Sequence, residues 1–276
     1  MKSRTNKTNS SKLVAIIVPI YKKSLSGSEQ ISMRHLFHFL GKYDKYIIAP
    51  QKLELDYPDF KIVRFKKKYF RNINTYSKLL LTSNFYKKFD DYKYILIYQS
   101  DALVFSDQLQ EWCDKEYDYI GAPWITSEMK KIFTKYNKPD HCGNGGFSLR
   151  NVKNCINVLN NAQKTPHDIL KEIILEEKNL FRKKERKIKE YLKIIKKTWN
   201  SSSVLRYKYN EDGFWSFEAK QYYSNFKIAP VNISLLFAFE VGPRYCFKKN
   251  NYKLPFGCHA WEKYDKKFWL PYILKD

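Results

Sequence analysis

Four short apolar runs, each ending at a proline or a polar residue and separated by polar or helical-period segments, set the main constraint on this 276-residue chain. "LVAIIVPIY" (13–21), "KYIIAP" (45–50), "FKIVRF" (60–65) and "YKYILIY" (92–98) are rich in β-branched and aromatic side chains, and their length suits buried strands. Among the intervening segments, Glu29–Leu40 carries Ile31, Leu36, Phe37 and Leu40 at helical spacing. Asn74–Phe89 does the same with Tyr76, Leu79, Leu80, Ser83 and Tyr86. Strands alternating with helices predict an α/β fold, with helices packed around a mostly parallel sheet.

Further along, "DQLQEWCDKEYDYIGAP" reads as a short helix and then a strand ending at Gly121, and "GNGGFSLRN" (143–151) as a glycine turn entering another strand. Residues 1–12 form a polar tail, and 13–276 read as one domain. A lysine-rich helical arm is expected as an insertion at 165–205. The tail lacks the apolar stretch of a signal peptide, and the longest apolar run is about half of what a bilayer span needs, so the expected setting is cytoplasmic.

The formal charge of +23 has two readings. Abundant Lys, Asn, Ile, Tyr and Phe is what AT-rich coding imposes without any function. A basic surface also collects polyanions such as nucleic acid, anionic lipid or phosphorylated substrates. The five cysteines have no regular spacing, which suits reduced thiols. His141-Cys142 and Cys258-His259 offer zinc ligands but lack finger or ribbon spacing.

Ligands of open α/β sheets bind at the carboxyl ends of the strands, where Tyr21, Gln99 to Asp101 and Gly121 to Trp124 all fall. Asp101, set between two apolar segments, needs a partner or a cation. A hard divalent ion carrying substrate phosphates fits, and so does a turn cap or a lysine pair. Gly143, Gly145 and Gly146 permit positive φ and close backbone approach, as a substrate-facing loop or an ordinary turn. Glu211 and Asp212 in "NEDGFW" offer a general base, or the acidic first turn of a helix capped by Asn210. His259 in "GCHAW" suits a metal ligand or a packed side chain.

In this order, "LVAIIVPIY", "YQSDALVF", "YDYIGAPW", "GNGGFSLR", "NEDGFW" and "LPFGCHAWEKY" resemble a family of glycosyltransferases long catalogued as a domain of unknown function. The resemblance spans roughly residues 13–273 and implies a GT-A-like, Rossmann-related fold. It also implies a nucleotide-sugar donor, and Mn²⁺ or Mg²⁺ on the diphosphate. Gln99-Ser100-Asp101 matches the family's Asp-x-Asp element without its first acid, so Asp101 would be the metal ligand and Gln99 would hydrogen-bond the nucleotide. His259 matches the C-terminal histidine of the metal site. Pro19, Ile20 and Tyr21 would line the base and ribose pocket, and Asn144, Gly145 and Gly146 would face the sugar or acceptor. Glu211 and Asp212 match the acidic pair of inverting members, with Asp212 as base and Glu211 holding the acceptor.

The leading expectation is a metal-dependent glycosyltransferase acting on a glycan or lipid-linked acceptor in surface-polysaccharide or glycan assembly. Peripheral contact with an anionic membrane through the arm is expected, and no specific nucleic acid. Two alternatives remain open: a basic nucleic-acid-binding protein, and an inactive relative that binds sugar nucleotides only.

Overall fold

The computed structural model describes residues 12–132, 137–162, 204 and 207–275. The tail at 1–11 and, apart from Val204, the expected arm at 165–205 lie outside the described residues.

The four apolar runs form β1 (Lys12–Pro19), β2 (Asp44–Pro50), β3 (Lys61–Phe65) and β4 (Tyr92–Tyr98). β1 begins at Lys12, the last residue of the expected tail. Ala15, Ile16 and Ile17 in β1 and Ile95, Leu96 and Ile97 in β4 are fully buried, as strands covered on both faces should be. β2 and β4 flank β1 in parallel, and β3 continues the parallel run beyond β2. Two further strands, β6 (Tyr119–Ile120) and β9 (Phe147–Asn151), complete a six-stranded sheet of order β3-β2-β1-β4-β9-β6. β9 runs antiparallel to both of its neighbours, so the sheet is mixed but mostly parallel.

Helix α1 (Gly27–Leu40) starts two residues before the expected boundary, because Ser26 and Glu29 close a reciprocal capping box. The helix expected over 74–89 is broken into α2 (Ile73–Leu80) and α3 (Ser83–Tyr86), followed by a 3₁₀ turn at Lys87–Phe89. Thr82 makes the break. Its hydroxyl donates to the Leu79 carbonyl at 2.8 Å and accepts from the Phe85 amide at 3.3 Å, ending one helix and capping the next.

A second, smaller sheet has the order β10-β11-β5, from Ala238–Phe239, Gly257–Cys258 and Leu103–Val104, and β7 (Pro123–Trp124) pairs antiparallel with β8 (His141–Cys142). The three-stranded sheet covers a second core that includes Cys258, Trp261, Phe268 and Trp269. All five cysteines are buried and none forms a disulfide. Among the described residues, no helix is long and apolar enough to cross a membrane.

Candidate active site

The small sheet assembles the centre of the site. β11 pairs with β10 in parallel and with β5 antiparallel, with Cys258 opposite both Phe239 and Leu103. Glu240, just past β10, and His259, just past β11, therefore emerge beside Asp101, just ahead of β5. Backbone bonds lock this arrangement, from the His259 amide to Phe239 at 3.0 Å and from the Trp261 amide to Asp101 at 3.3 Å.

Asp101 and His259, 158 positions apart in sequence, are in contact. His259 Nε2 lies 3.2 Å from Asp101 Oδ1 and 3.1 Å from Gln99 Oε1. On the other side of the ring, Nδ1 lies 3.0 Å from Glu240 Oε1 and 2.8 Å from the Asn144 amide nitrogen. A protonated Nδ1 donates to Glu240, while an unprotonated one accepts from Asn144, so these two contacts are alternatives. Burial pulls the imidazole pKa down, but the charges and hydrogen bonds of Asp101 and Glu240 outweigh it and raise it to about 10. Burial alone would raise the Asp101 pKa, and His259 holds it below the usual carboxylate range.

The glycine run explains itself by packing. A methyl group at Gly146 would collide with the His259 ring, and one at Gly145 with the Glu211 carboxylate. Positive φ, expected of these glycines, falls instead on Asn144 at 53°. That residue tolerates the left-handed region because its side chain serves the turn, Oδ1 accepting from the Phe147 amide at 3.1 Å. Tyr119 donates to the Asn144 carbonyl at 2.7 Å, and the Gln99 backbone N–H donates to the Gly146 carbonyl at 2.8 Å. The loop is thus tied to both β6 and β4.

Across this loop, Glu211 and Asp212 open a short helix, Glu211–Gly213, with Asn210 in the cap position but making no side-chain cap bond. The two carboxylates have different environments. Glu211 is buried, meeting the Arg150 guanidinium at 3.1 Å and accepting from Ser77 at 2.9 Å. Asp212 accepts only from the Gly213 amide, at 2.8 Å among the described contacts. Burial first, and then the negative charges of Glu211 and Glu240, raise its pKa to about 7. That value suits a base working near neutral pH.

Asp101, His259, Glu211, Asp212 and the Asn144–Gly146 loop line one cleft of about 580 Å³, with Pro19, Tyr21, Gln99 and Ser100 on its walls. Ile20 does not line it and is packed in the core at 2% exposure. Glu29 also borders the cleft, accepting from Ser100 at 2.9 Å and pairing with Lys22 at 2.6 Å. Glu240, Lys263 and Arg71 line it too, three residues to which the sequence motifs assign no role. Glu240 carries the same signal as Asp101, a carboxylate at the end of a short apolar strand in "LLFAFE".

Among the described residues, no three His, Cys, Asp or Glu side chains gather as a ready metal cage. The zinc reading of His141-Cys142 and Cys258-His259 accordingly finds no ligand set: the Cys142 sulfur accepts from the Gly121 amide at 3.2 Å, and Cys258 packs in the second core. The donor set of Asp101 carboxylate, Gln99 amide oxygen and His259 Nε2 does fit Mn²⁺ or Mg²⁺, which take few protein ligands when substrate phosphates supply the rest. Glu240 behind Nδ1 is the kind of partner that orients a ligating histidine.

A family model described as "Protein of unknown function (DUF5672)" matches residues 59–259. No curated protein matches the chain in sequence. Among solved structures, the apo form of glycosyltransferase GlyE from Streptococcus pneumoniae TIGR4 is similar at 13% identity and a TM-score of 0.44, covering 96% of this chain and 61% of that one. The galactosyltransferase LgtC, in complex with donor and acceptor sugar analogs, is similar at 11% identity and a TM-score of 0.47, covering 89% and 86%. A glycosyltransferase involved in glycosylation of the major capsid of PBCV-1 is similar at 10% identity and a TM-score of 0.42, covering 90% and 92%. The chain spans about three fifths of the GlyE structure's length.

Proposed function

We propose that this chain, which belongs to the family described as protein of unknown function (DUF5672), is a glycosyltransferase that moves a sugar from a nucleotide-sugar to an acceptor hydroxyl with a divalent cation on the donor diphosphate. One observation carries the reading. Asp101, Gln99 and His259 converge on one side of the cleft, and Asp212 with its raised pKa lines the same cleft beyond the glycine loop.

Asp101, Gln99 and His259 would hold Mn²⁺ or Mg²⁺, which supplies Lewis-acid stabilisation of the leaving diphosphate. Pro19 and Tyr21 wall the position of the base and ribose, and Lys263 and Arg71 place positive charge at the cleft for the phosphates. Asn144, Gly145 and Gly146 present main chain to the sugar. Asp212 takes the proton of the acceptor hydroxyl while its oxygen bonds to the anomeric carbon and the diphosphate leaves with the old bond pair. Attack opposite the leaving group inverts the anomeric centre. Glu211, held by Arg150 and Ser77, fixes the helix that carries Asp212 and keeps its carboxyl basic.

The acceptor in this reading is a glycan or lipid-linked saccharide of surface-polysaccharide or glycan assembly. The test is thermal unfolding with a panel of nucleoside diphosphates, with and without Mn²⁺, because a ligand of the folded state alone raises the midpoint. One diphosphate should stabilise the protein in a Mn²⁺-dependent way, and Asp101→Asn should remove that dependence while the protein still unfolds cooperatively. If no nucleotide shifts the midpoint under either condition, the donor reading is wrong.

A further inference from the structure

Because β1 to β4 run in parallel, the carboxyl ends of β2 and β3 lie on the same edge of the sheet as the cleft. A second cavity of about 570 Å³ opens there among Gln51, Arg64, Lys66, Tyr69, Lys87 and Lys88. Its remaining lining is neutral, with no acid among it. Among the described residues none of these four cations makes an ion pair, whereas Lys12, Lys42, Lys61 and Lys93 each meet a carboxylate within 3.4 Å. Arg64 is anchored through one terminal nitrogen, which donates to the Leu53 carbonyl at 2.6 Å and the Pro50 carbonyl at 3.3 Å.

Four like charges around one concavity repel one another, and the attraction of each to a bound anion offsets that repulsion. The candidate cleft has the opposite character, lined by Glu29, Asp101, Glu211, Asp212 and Glu240. One stretch of chain separates the two: Lys66 and Tyr69 line the basic cavity, and Phe70 to Ile73 line the cleft. The basic cavity also offers an apolar wall of Phe65, Tyr69 and Leu79, and neutral hydrogen-bonding groups on Gln51, Thr82 and Asn84. Cations, amides and an aromatic wall together match a phosphate carried on a sugar.

We infer that this cavity is a binding site for a sugar phosphate, taking the phosphate-bearing part of an acceptor whose free hydroxyl reaches the neighbouring cleft. The acceptor role rests on the glycosyltransferase reading above, whereas the phosphate site stands on its own lining. The same phosphate chemistry occurs on a soluble sugar and on an inositol lipid headgroup, and the experiment separates the two.

The measurement is binding of glucose 6-phosphate by calorimetry at low salt, in EDTA and without nucleotide, alongside flotation with phosphatidylinositol vesicles. The variant Lys66→Gln/Lys87→Gln/Lys88→Gln leaves the anchored Arg64 in place, and all three side chains are exposed, so the fold should survive. A control, Lys248→Gln/Lys249→Gln/Lys253→Gln, removes the same charge from exposed positions that line neither cavity. The expected result is binding of glucose 6-phosphate that weakens at least tenfold in the cavity variant and stays unchanged in the control. Binding to the vesicles alone, lost only in the cavity variant, assigns the same site to a lipid headgroup. Absence of binding to both probes, or equal loss in both variants, overturns the inference. Because neither metal nor donor is present, a failed donor reading leaves this result intact.

Discussion

At the scale of single residues, Asp212 and Glu240 make the sharpest claims. The raised Asp212 pKa, about 7 against an ordinary 3.8, has a sign that can be checked. An acid that is harder to ionise in the folded state destabilises the fold increasingly as pH rises from about 4 to 7. Asp212→Asn should therefore raise the unfolding midpoint at pH 8 and leave it unchanged near pH 3. Turnover in the wild type should climb as pH rises through about 7, and the variant should lose it by a hundredfold or more with donor affinity nearly unchanged. Equal loss of donor binding and turnover would make Asp212 a structural residue. Glu240 decides which His259 nitrogen carries the proton. The raised His259 pKa means that the metal-free ring carries a proton on each nitrogen; when a cation displaces the Nε2 proton, Glu240 accepting from Nδ1 keeps the remaining proton there and leaves the Nε2 lone pair facing Asp101 and Gln99. In Glu240→Ala the acceptor is gone and the Asn144 amide would donate to Nδ1 instead, moving the ring proton to Nε2 and blocking the cation position. Mn²⁺ affinity, read by electron paramagnetic resonance without substrate turnover, should then fall about 10- to 100-fold. Unchanged affinity would show that Glu240 does not orient the ring.

At the scale of elements, periodicity made the parallel strands legible, because residues buried on both faces leave an unbroken apolar run that a sequence displays directly. Asp101 was legible for the same reason, as a charge where such a run stops. The antiparallel entry of β9 was not, since strand direction depends on how the 143–146 loop folds back on β4 and no residue in "GNGGFSLR" encodes that alone. The purpose of the glycines was half legible. Close approach is real, but its partners, His259 and Glu211, come from distant parts of the chain. The break between α2 and α3 was hidden by continuous helical spacing across Thr82, whose hydroxyl competes locally with the helix ladder. Thr82→Ala removes that cap and should cost about 1 kcal/mol, read from urea unfolding, with the denaturant slope unchanged. No loss of stability would mean that packing alone, not the cap, divides the helix.

At the scale of the whole molecule, charge is the open question. The chain carries 51 basic and 28 acidic residues, yet the candidate cleft gathers five carboxylates against His259, Lys263 and Arg71. The basic excess therefore lies mostly away from that cleft, where AT-rich coding and an anionic partner are the competing causes. The two causes differ at residues 166–198, where cations outnumber acids and Ile169, Ile173, Leu180, Ile188, Leu192 and Ile195 recur at roughly helical spacing. If that stretch meets a membrane bearing lipid-linked acceptors, each exposed Lys or Arg near the surface contributes about 1 kcal/mol. The protein should then bind phosphatidylserine vesicles at low ionic strength and dissociate as salt shortens the screening length to about 10 Å near 0.1 M. Deleting residues 168–198 should release it from the vesicles while Mn²⁺-dependent nucleotide binding, which uses residues elsewhere in the chain, survives. Loss of both properties would mean that the deletion damages the fold. Should the wild type ignore anionic vesicles even at low salt, the membrane role falls and coding bias accounts for these lysines.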